Sequence, residues 1–179
     1  MIRYLLIVPI NIIWMLICFI LNPFVVFFSD KEGNYPKWLI WFSTHDNSAD
    51  GDKDHQARCP GDRLYQIYYR RVRWLYRNKG YYFRYHVLGY NMPSRDFLVI
   101  KGNENIRNTP HPPEEGFCFA YDKSKNILTR GWMLYVIKRY GFSRFPKLGV
   151  RIYLGYKFMG FKEGQKMFAW HFSPWKIIG

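Results

Sequence analysis

Paired cysteine is what this sequence most plainly lacks. Cys18, Cys59 and Cys118 are odd in number and widely separated, which argues against a disulfide framework. They read as small core residues, and their use favours a reducing compartment. Catalytic fingerprints are missing as well. There is no glycine-lysine phosphate loop, no GxGxxG after a strand, no GxSxG elbow and no HExxH, so those routes to nucleotide, serine-hydrolase or zinc-protease chemistry are excluded. His86, His111 and His171 stand apart among aromatics and prolines and read as packing or surface residues. No internal repeat is visible. Acidic residues are scarce, with 13 Asp and Glu against 27 Lys and Arg in 179 residues, a net charge of +14.

The charge is unevenly placed. Residues 1–60 hold five Lys/Arg against six Asp/Glu, whereas residues 61–179 hold 22 against seven. A field of that sign seeks polyanions: anionic lipid headgroups, nucleic acid or an acidic protein. Aromatics reach 21%, with 15 Tyr, 15 Phe and 7 Trp. Such side chains, with arginine, supply most interface hot spots.

From Tyr4 to Phe28 the chain carries no charge; Arg3 precedes this run and Asp30-Lys31-Glu32 follows it. As a continuous helix it would be about 37 Å long, enough to cross a hydrocarbon layer of about 30 Å. A cleaved signal is disfavoured, because the run exceeds the usual ~7–15 apolar residues and no small-x-small site follows. Pro9 predicts a kink and Asn11 a polar group in need of a partner. Asn22-Pro23 disfavours helix at Asn22. The segment is therefore expected to be a kinked transmembrane helix or a re-entrant hairpin turning at Asn22-Pro23. Cysteine usage places the basic domain on the cytoplasmic side.

Lys37, Trp38 and Trp41 follow as an interfacial collar. Next comes the main acidic cluster of a basic chain. Aligned on Gly51, it matches part of a calcium loop, with Asp46, Ser48, Asp50 and Asp54 at ligand positions and Asp52 nearby. The match fails at Ala57, where a bidentate Glu belongs, and at Lys53, where an apolar residue usually packs. A Ca²⁺ or Mg²⁺ site is one reading, with His45, Asp46, Asp50 and Asp52 the residues to suspect in an enzyme. Zinc at His45, His55 and Cys59 is another. An Asx-rich turn whose carboxylates cap backbone and pair with Lys/Arg is the simplest.

Residues 62–79 predict an amphipathic helix capped by Asp62 and stopped at Asn78-Lys79-Gly80. Leu64, Tyr68, Val72 and Leu75 form its stripe. Arg63, Arg70, Arg71, Arg73 and Arg77 suit a headgroup layer, and Tyr69, Trp74 and Tyr76 are candidate partner contacts. Beyond Gly80, short runs rich in aromatic and β-branched residues alternate with turns. Strands are expected at 82–88, 97–101, 117–121, 132–139, 150–158 and 167–172, with a long proline-bearing loop over 103–116. The fold class is therefore α+β: an N-terminal apolar helix, one basic amphipathic helix and an antiparallel sheet of about five strands. The boundaries expected are 1–30 for the anchor, 31–61 for collar and loop, and 62–179 for a basic domain.

Three stretches carry a resemblance: residues 4–52, which run through PKWLIWFSTHDNSADGD; RVRWLYRNKGYYFRYHVLGY at 71–90; and the C-terminal segments GWMLY, GVRIYLGYKF and FSPW. Together they resemble an uncharacterised family of small membrane proteins encoded by tailed bacteriophages. The most specific parts are the loop at 46–52 and the run 74–78, whereas residues 53–62 depart from the expected Gly-Trp-containing continuation. The resemblance implies a phage protein placed in the host inner membrane and implies no activity. The expected function is a non-enzymatic interaction protein acting on a host membrane protein or process, such as takeover, anti-defence or exclusion of a second phage. Its expected partners are anionic headgroups and a host protein, with self-association through residues 4–28 open. A virion or genome-delivery component binding nucleic acid, and a metal-dependent membrane-surface enzyme, are the alternatives.

Overall fold

The computed structural model describes residues 2–106 and 114–178. Pro110, His111, Pro112 and Pro113 of the expected loop lie outside those residues. The chain divides into two compact units: residues 9–88, and the residues up to Val8 together with those from Gly89 onward. The basic helix falls in the unit of residues 9–88, with most of the apolar run and the acidic loop.

The apolar run is one unbroken helix, α1 (Ile2–Val25), continued by a 3₁₀ turn over Val26–Phe28. The re-entrant turn at Asn22-Pro23 does not form, and the reason lies on another helix. Pro23 has no N–H to give the Phe19 carbonyl four residues back. Tyr76 Oη donates to that oxygen instead, at 3.0 Å. Tyr68 Oη donates to the Pro23 carbonyl at 3.2 Å, one of the orphan acceptors of a helix end. α1 is also two-sided. Tyr4, Asn11, Cys18 and Val25 are buried at intervals of seven, with Asn22 beside them. Seven residues are close to two turns, so these five make one covered stripe. Leu6, Ile13, Leu16, Ile20, Phe24 and Phe27 stand exposed on the other side.

In the unit of residues 9–88 the covered stripe packs on a 3₁₀ segment, Lys37–Phe42, and on three further helices. α2 (Lys53–Arg58) is capped by Asp52, which accepts the His55 N–H at 2.7 Å. α3 (Leu64–Arg77) begins two residues into the expected span, with Arg63 rather than Asp62 at the N-cap and its N–H donating to Gln66 Oε1 at 3.1 Å. Cys18, Val25, Leu39 and Phe42 form one buried cluster; Val26, Trp74 and Leu75 form another. Gly80 separates α3 from α4 (Tyr81–His86) in a left-handed conformation, φ 60°. Residues 82–88, expected as a strand, are mostly this short helix. Seven residues are too few for a period to decide, and Phe83 settles it by packing against Trp14 and Trp41 at 4.7 and 5.5 Å between ring centroids.

The other unit is built on an antiparallel sheet of β2 (Leu98–Gly102), β3 (Gly116–Asp122), β4 (Trp132–Arg139), β5 (Leu148–Tyr156) and β7 (Phe168–Ile177), in that spatial order. β1 (Tyr90–Met92) pairs with β6 (Gly164–Lys166) beside it, where turns were expected. Register places Cys118, Ala120, Met133, Tyr135 and Ile137 on one face, all buried. Asp122 ends β3 fully buried. It accepts the hydroxyl of Tyr90, and the N–H and hydroxyl of Ser124 at 2.8 and 2.6 Å. Burial pushes its carboxyl up, but these donors outweigh it and hold the group below the ordinary value. α1 contributes its first turns here. Tyr4 stacks on Phe168 at 4.8 Å, meets Trp132 edge-on at 4.9 Å, and donates to the Ala169 carbonyl at 2.8 Å.

Candidate functional site

The junction between α1, the acidic loop and α3 is organised by arginine. Arg71 is 6% exposed and its guanidinium spends all five donors. Nε and Nη2 reach the two Asp50 oxygens at 3.0 and 2.8 Å. Nη1 donates to Ser29 Oγ at 2.9 Å and the Asp30 carbonyl at 2.8 Å, and Nη2 also to the Lys31 carbonyl at 2.8 Å. Arg70 reaches Asp50 Oδ1 through Nε and Nη2 at 3.1 and 2.9 Å, and Gly61 O at 3.0 Å. Burial pushes the Asp50 carboxyl up, yet hydrogen bonds and charge from Arg71 and Arg70 more than offset this and hold it below the ordinary value. One carboxylate and two guanidiniums thus clamp the exit of α1 to α3.

Arg70 and Arg71, expected to meet headgroups, direct these donors to Asp50, Ser29 and backbone carbonyls of the protein itself. The carboxylates of the acidic loop have partners of their own: Asp50 is held by arginine, and Asp52 caps α2 and lies 4.0 Å from Arg77. Asp46 and Asp54 are exposed, and Ser48 is half-buried with its carbonyl accepting the Gly51 N–H at 3.0 Å. Among the described residues, no three His, Cys, Asp or Glu side chains come together as a metal centre requires. His55, a zinc candidate, turns Nε2 to the Arg70 carbonyl at 2.9 Å. His45 instead stacks on Tyr85 at 3.8 Å, and Cys59 is buried.

The expected contact residues divide into two sets. Trp74 is buried under Gly51 with its Nε1–H aimed at Thr44 Oγ1, 3.4 Å away. Tyr76 is half-buried and held by α1. Lys37, Trp38, Trp41, Arg63, Tyr69, Arg73 and Arg77 are exposed, with the Arg73 guanidinium 5.3 Å from the centre of the Tyr69 ring. Two clefts adjoin them. One of about 360 Å³ is lined in part by Tyr35, Ser43, His45, Asp46 and Tyr82. Another of about 570 Å³ lies between α2 and α3, walled by Cys59, Pro60, Tyr65, Tyr68 and Tyr69. The first offers a carboxylate and an imidazole at its edge; the second is an apolar slot.

One apolar surface was not singled out from the sequence. Opposite the buried face of the sheet, register lines up Phe119, Leu134, Leu154 and Trp170 in one row, and Phe117, Val136, Ile152 and Phe172 in the next. Phe172 is 61% exposed, Phe117 and Trp170 are exposed, and the rest are half-covered. The adjoining row is Tyr121, Trp132, Tyr156 and Phe168, the last three buried, with Tyr4 packed on them. The alternating pattern of these strands was legible; that both faces are apolar is the signal that could have pointed to a second covering layer.

By length and composition α1 with its 3₁₀ extension is able to cross a membrane, the one such helix among the described residues. A search of curated proteins and one of solved structures return no match to this chain. The chain belongs to a family of unknown function, DUF7338, whose model matches it over residues 1–179.

Proposed function

We propose that this is a membrane-attached interaction protein. A tailed bacteriophage makes it in the infected cell, and it sits on the host inner membrane with its basic surface on the cytoplasmic side. There it acts on a host membrane protein or process: takeover, anti-defence or exclusion of a second phage. The observation that carries the reading is α1. Its uncharged run from Tyr4 to Phe28 has one side covered by protein and the other uncovered and apolar, an arrangement that water does not favour and lipid does. The exposed collar of Lys37, Trp38 and Trp41 supports it, since such rings and cations sit at headgroup depth. The net charge of +14 favours the anionic leaflet.

The test is tagged protein expressed during phage infection, fractionated and crosslinked before affinity purification. The expected result is recovery with the membrane, resistant to high salt, together with a specific host membrane protein. Recovery in the soluble fraction overturns the attachment. Recovery with the membrane but with only lipid or nucleic acid overturns the protein partner.

A further inference from the structure

We propose that α1 does not cross the bilayer but lies along it with its uncovered side in an anionic leaflet, and that the aromatic face of the sheet is a lipid-binding surface in its own right. This rests on the membrane attachment proposed above and concerns how the protein sits.

What covers α1 decides how it lies. In a crossing helix, everything packed along the helix shares its depth. Within residues 9–88 the covering is continuous: Trp14 against Phe42 at 5.1 Å, Gly80 against Trp14 and Cys18, Tyr76 on the Phe19 carbonyl, and Val26 in one buried cluster with Trp74 and Leu75. Trp14 to Val26 is roughly 18 Å of helix, more than half of a hydrocarbon layer. Arg73, Arg77, Lys79 and Arg84 lie on the elements that do the covering. A crossing α1 would draw those cations into hydrocarbon, where they are costly. Laid flat, α1 puts only its apolar side into lipid and leaves the covering helices above it. Asn11, whose amide donates to Met15 Sδ at 3.4 Å, and Asn22 are buried on the covered side and do not meet lipid.

The surface on the sheet stands on its own observations. The first turns of α1 pack on the sheet face that carries Phe117, Phe119, Val136, Ile152, Leu154 and Phe172. Phe117 and Phe172 are exposed there. Cations edge the surface rather than interrupt it. Lys101 and Lys138 lie at its ends in the register, and Lys123, Lys125 and Arg130 flank the exposed Ile127-Leu128 tip, where Leu128 O meets the Arg3 N–H at 3.0 Å. An apolar surface bordered by Lys and Arg is complementary to acyl chains beneath anionic headgroups.

The experiment uses the full chain with Ile2→Cys or Glu32→Cys, one at each end of α1, in sealed membrane vesicles of both polarities. The probe is a membrane-impermeant maleimide, and the unsubstituted chain, whose cysteines are buried, is the blank. We expect both positions to label in the same polarity and neither in the other, with at least a tenfold difference. Labelling of the two positions in opposite polarities establishes a span and overturns the proposal while leaving membrane attachment intact. Absence of the protein from the vesicles overturns attachment itself. A nitroxide at Phe172→Cys tests the sheet face separately. Greater accessibility to oxygen than to a polar nickel complex, in phosphatidylglycerol-containing vesicles, is expected. The reverse, or burial of the probe in a vesicle-free dimer, overturns the sheet face as a lipid-binding surface.

Discussion

Arg71 offers the sharpest test of how the helical unit is held. Arg71→Ala removes five hydrogen bonds of 2.8–3.0 Å and leaves three acceptors after α1, the Ser29 hydroxyl and the Asp30 and Lys31 carbonyls, without their donor. It also leaves the half-buried Asp50 with Arg70 alone. Breaking one partner of a buried ion pair costs about 3–5 kcal/mol, against total stabilities of about 5–15 kcal/mol. Arg71→Lys keeps the charge but offers at most three donors from a single point, so it should lose about 1–3 kcal/mol. Urea unfolding in mild detergent, read by tryptophan fluorescence because Trp74 lies next to the clamp in a buried cluster, gives both numbers. The pH dependence supplies the sign. Asp50 titrates below its ordinary 3.8 in the folded chain, so its contribution is complete above that value and is lost as pH falls through the lower folded one. Arg71→Ala should flatten that acid limb. A loss under about 1 kcal/mol, or an Asp50→Ala, Arg71→Ala cycle with no coupling, would refute the clamp.

Three further outcomes can be read from the same preparation. Tyr76→Phe should cost about 1 kcal/mol through the unpaired Phe19 carbonyl, and markedly less in a Pro23→Ala background, where the backbone N–H returns to that oxygen. A cost independent of residue 23 would contradict that assignment. Gly80→Ala places a Cβ 2.6 Å from Trp14 on a backbone at φ 60°, whereas Gly141→Ala meets nothing within 4 Å at φ 73°. The first should therefore lose at least about 1 kcal/mol more than the second, which carries only the left-handed strain; equal losses by thermal unfolding would mean that the close approach is absent. Cys118 is fully buried and burial pushes its thiol up to about 11, so at pH 8 it should react with maleimide only on unfolding. Labelling of the native chain within minutes would place it at the surface.

What was legible in the sequence was local. The uncharged run, the helix over 64–77 and most of the strands follow from periodicity, and β4 from Trp132 to Arg139 coincides with its expectation. What was not legible depended on distant partners. Asn22-Pro23 reads as a break because sequence spacing cannot show that Tyr76 supplies the missing donor. Residues 82–88 read as a strand because they are rich in aromatic and β-branched side chains, while Phe83 is claimed by Trp14 from α1. The acidic loop reads as a cation site because Asp spacing matches a calcium loop in part; nothing local says that Arg70 and Arg71 reach Asp50 across twenty residues. In the strands, both faces are apolar, and a one-face periodicity rule has no place for the second.

The two-sided α1 makes a last prediction that separates this chain from a domain on a detachable anchor. If α1 were only an anchor, deletion of residues 1–28 would release a soluble domain. Here the deletion takes core from both units. Tyr4 leaves the Trp132–Phe168 cluster, Cys18 and Val25 leave the Leu39–Phe42 cluster, and Val26 leaves Trp74 and Leu75. At about 1.5–3 kcal/mol for each large buried side chain, the loss from these residues and Trp14 matches or exceeds an ordinary total stability. Removal of α1 also exposes Phe83, Leu39 and the carbonyl-seeking hydroxyls of Tyr68 and Tyr76. The truncated chain should therefore aggregate or lose near-ultraviolet circular dichroism. By contrast, full-length Leu16→Ser, Ile20→Ser and Phe24→Ser variants, altered only on the uncovered side, should keep that signal and bind vesicles at least tenfold more weakly. A folded, monomeric truncation would show that α1 is a tether, and the argument from its covered stripe would fall with it.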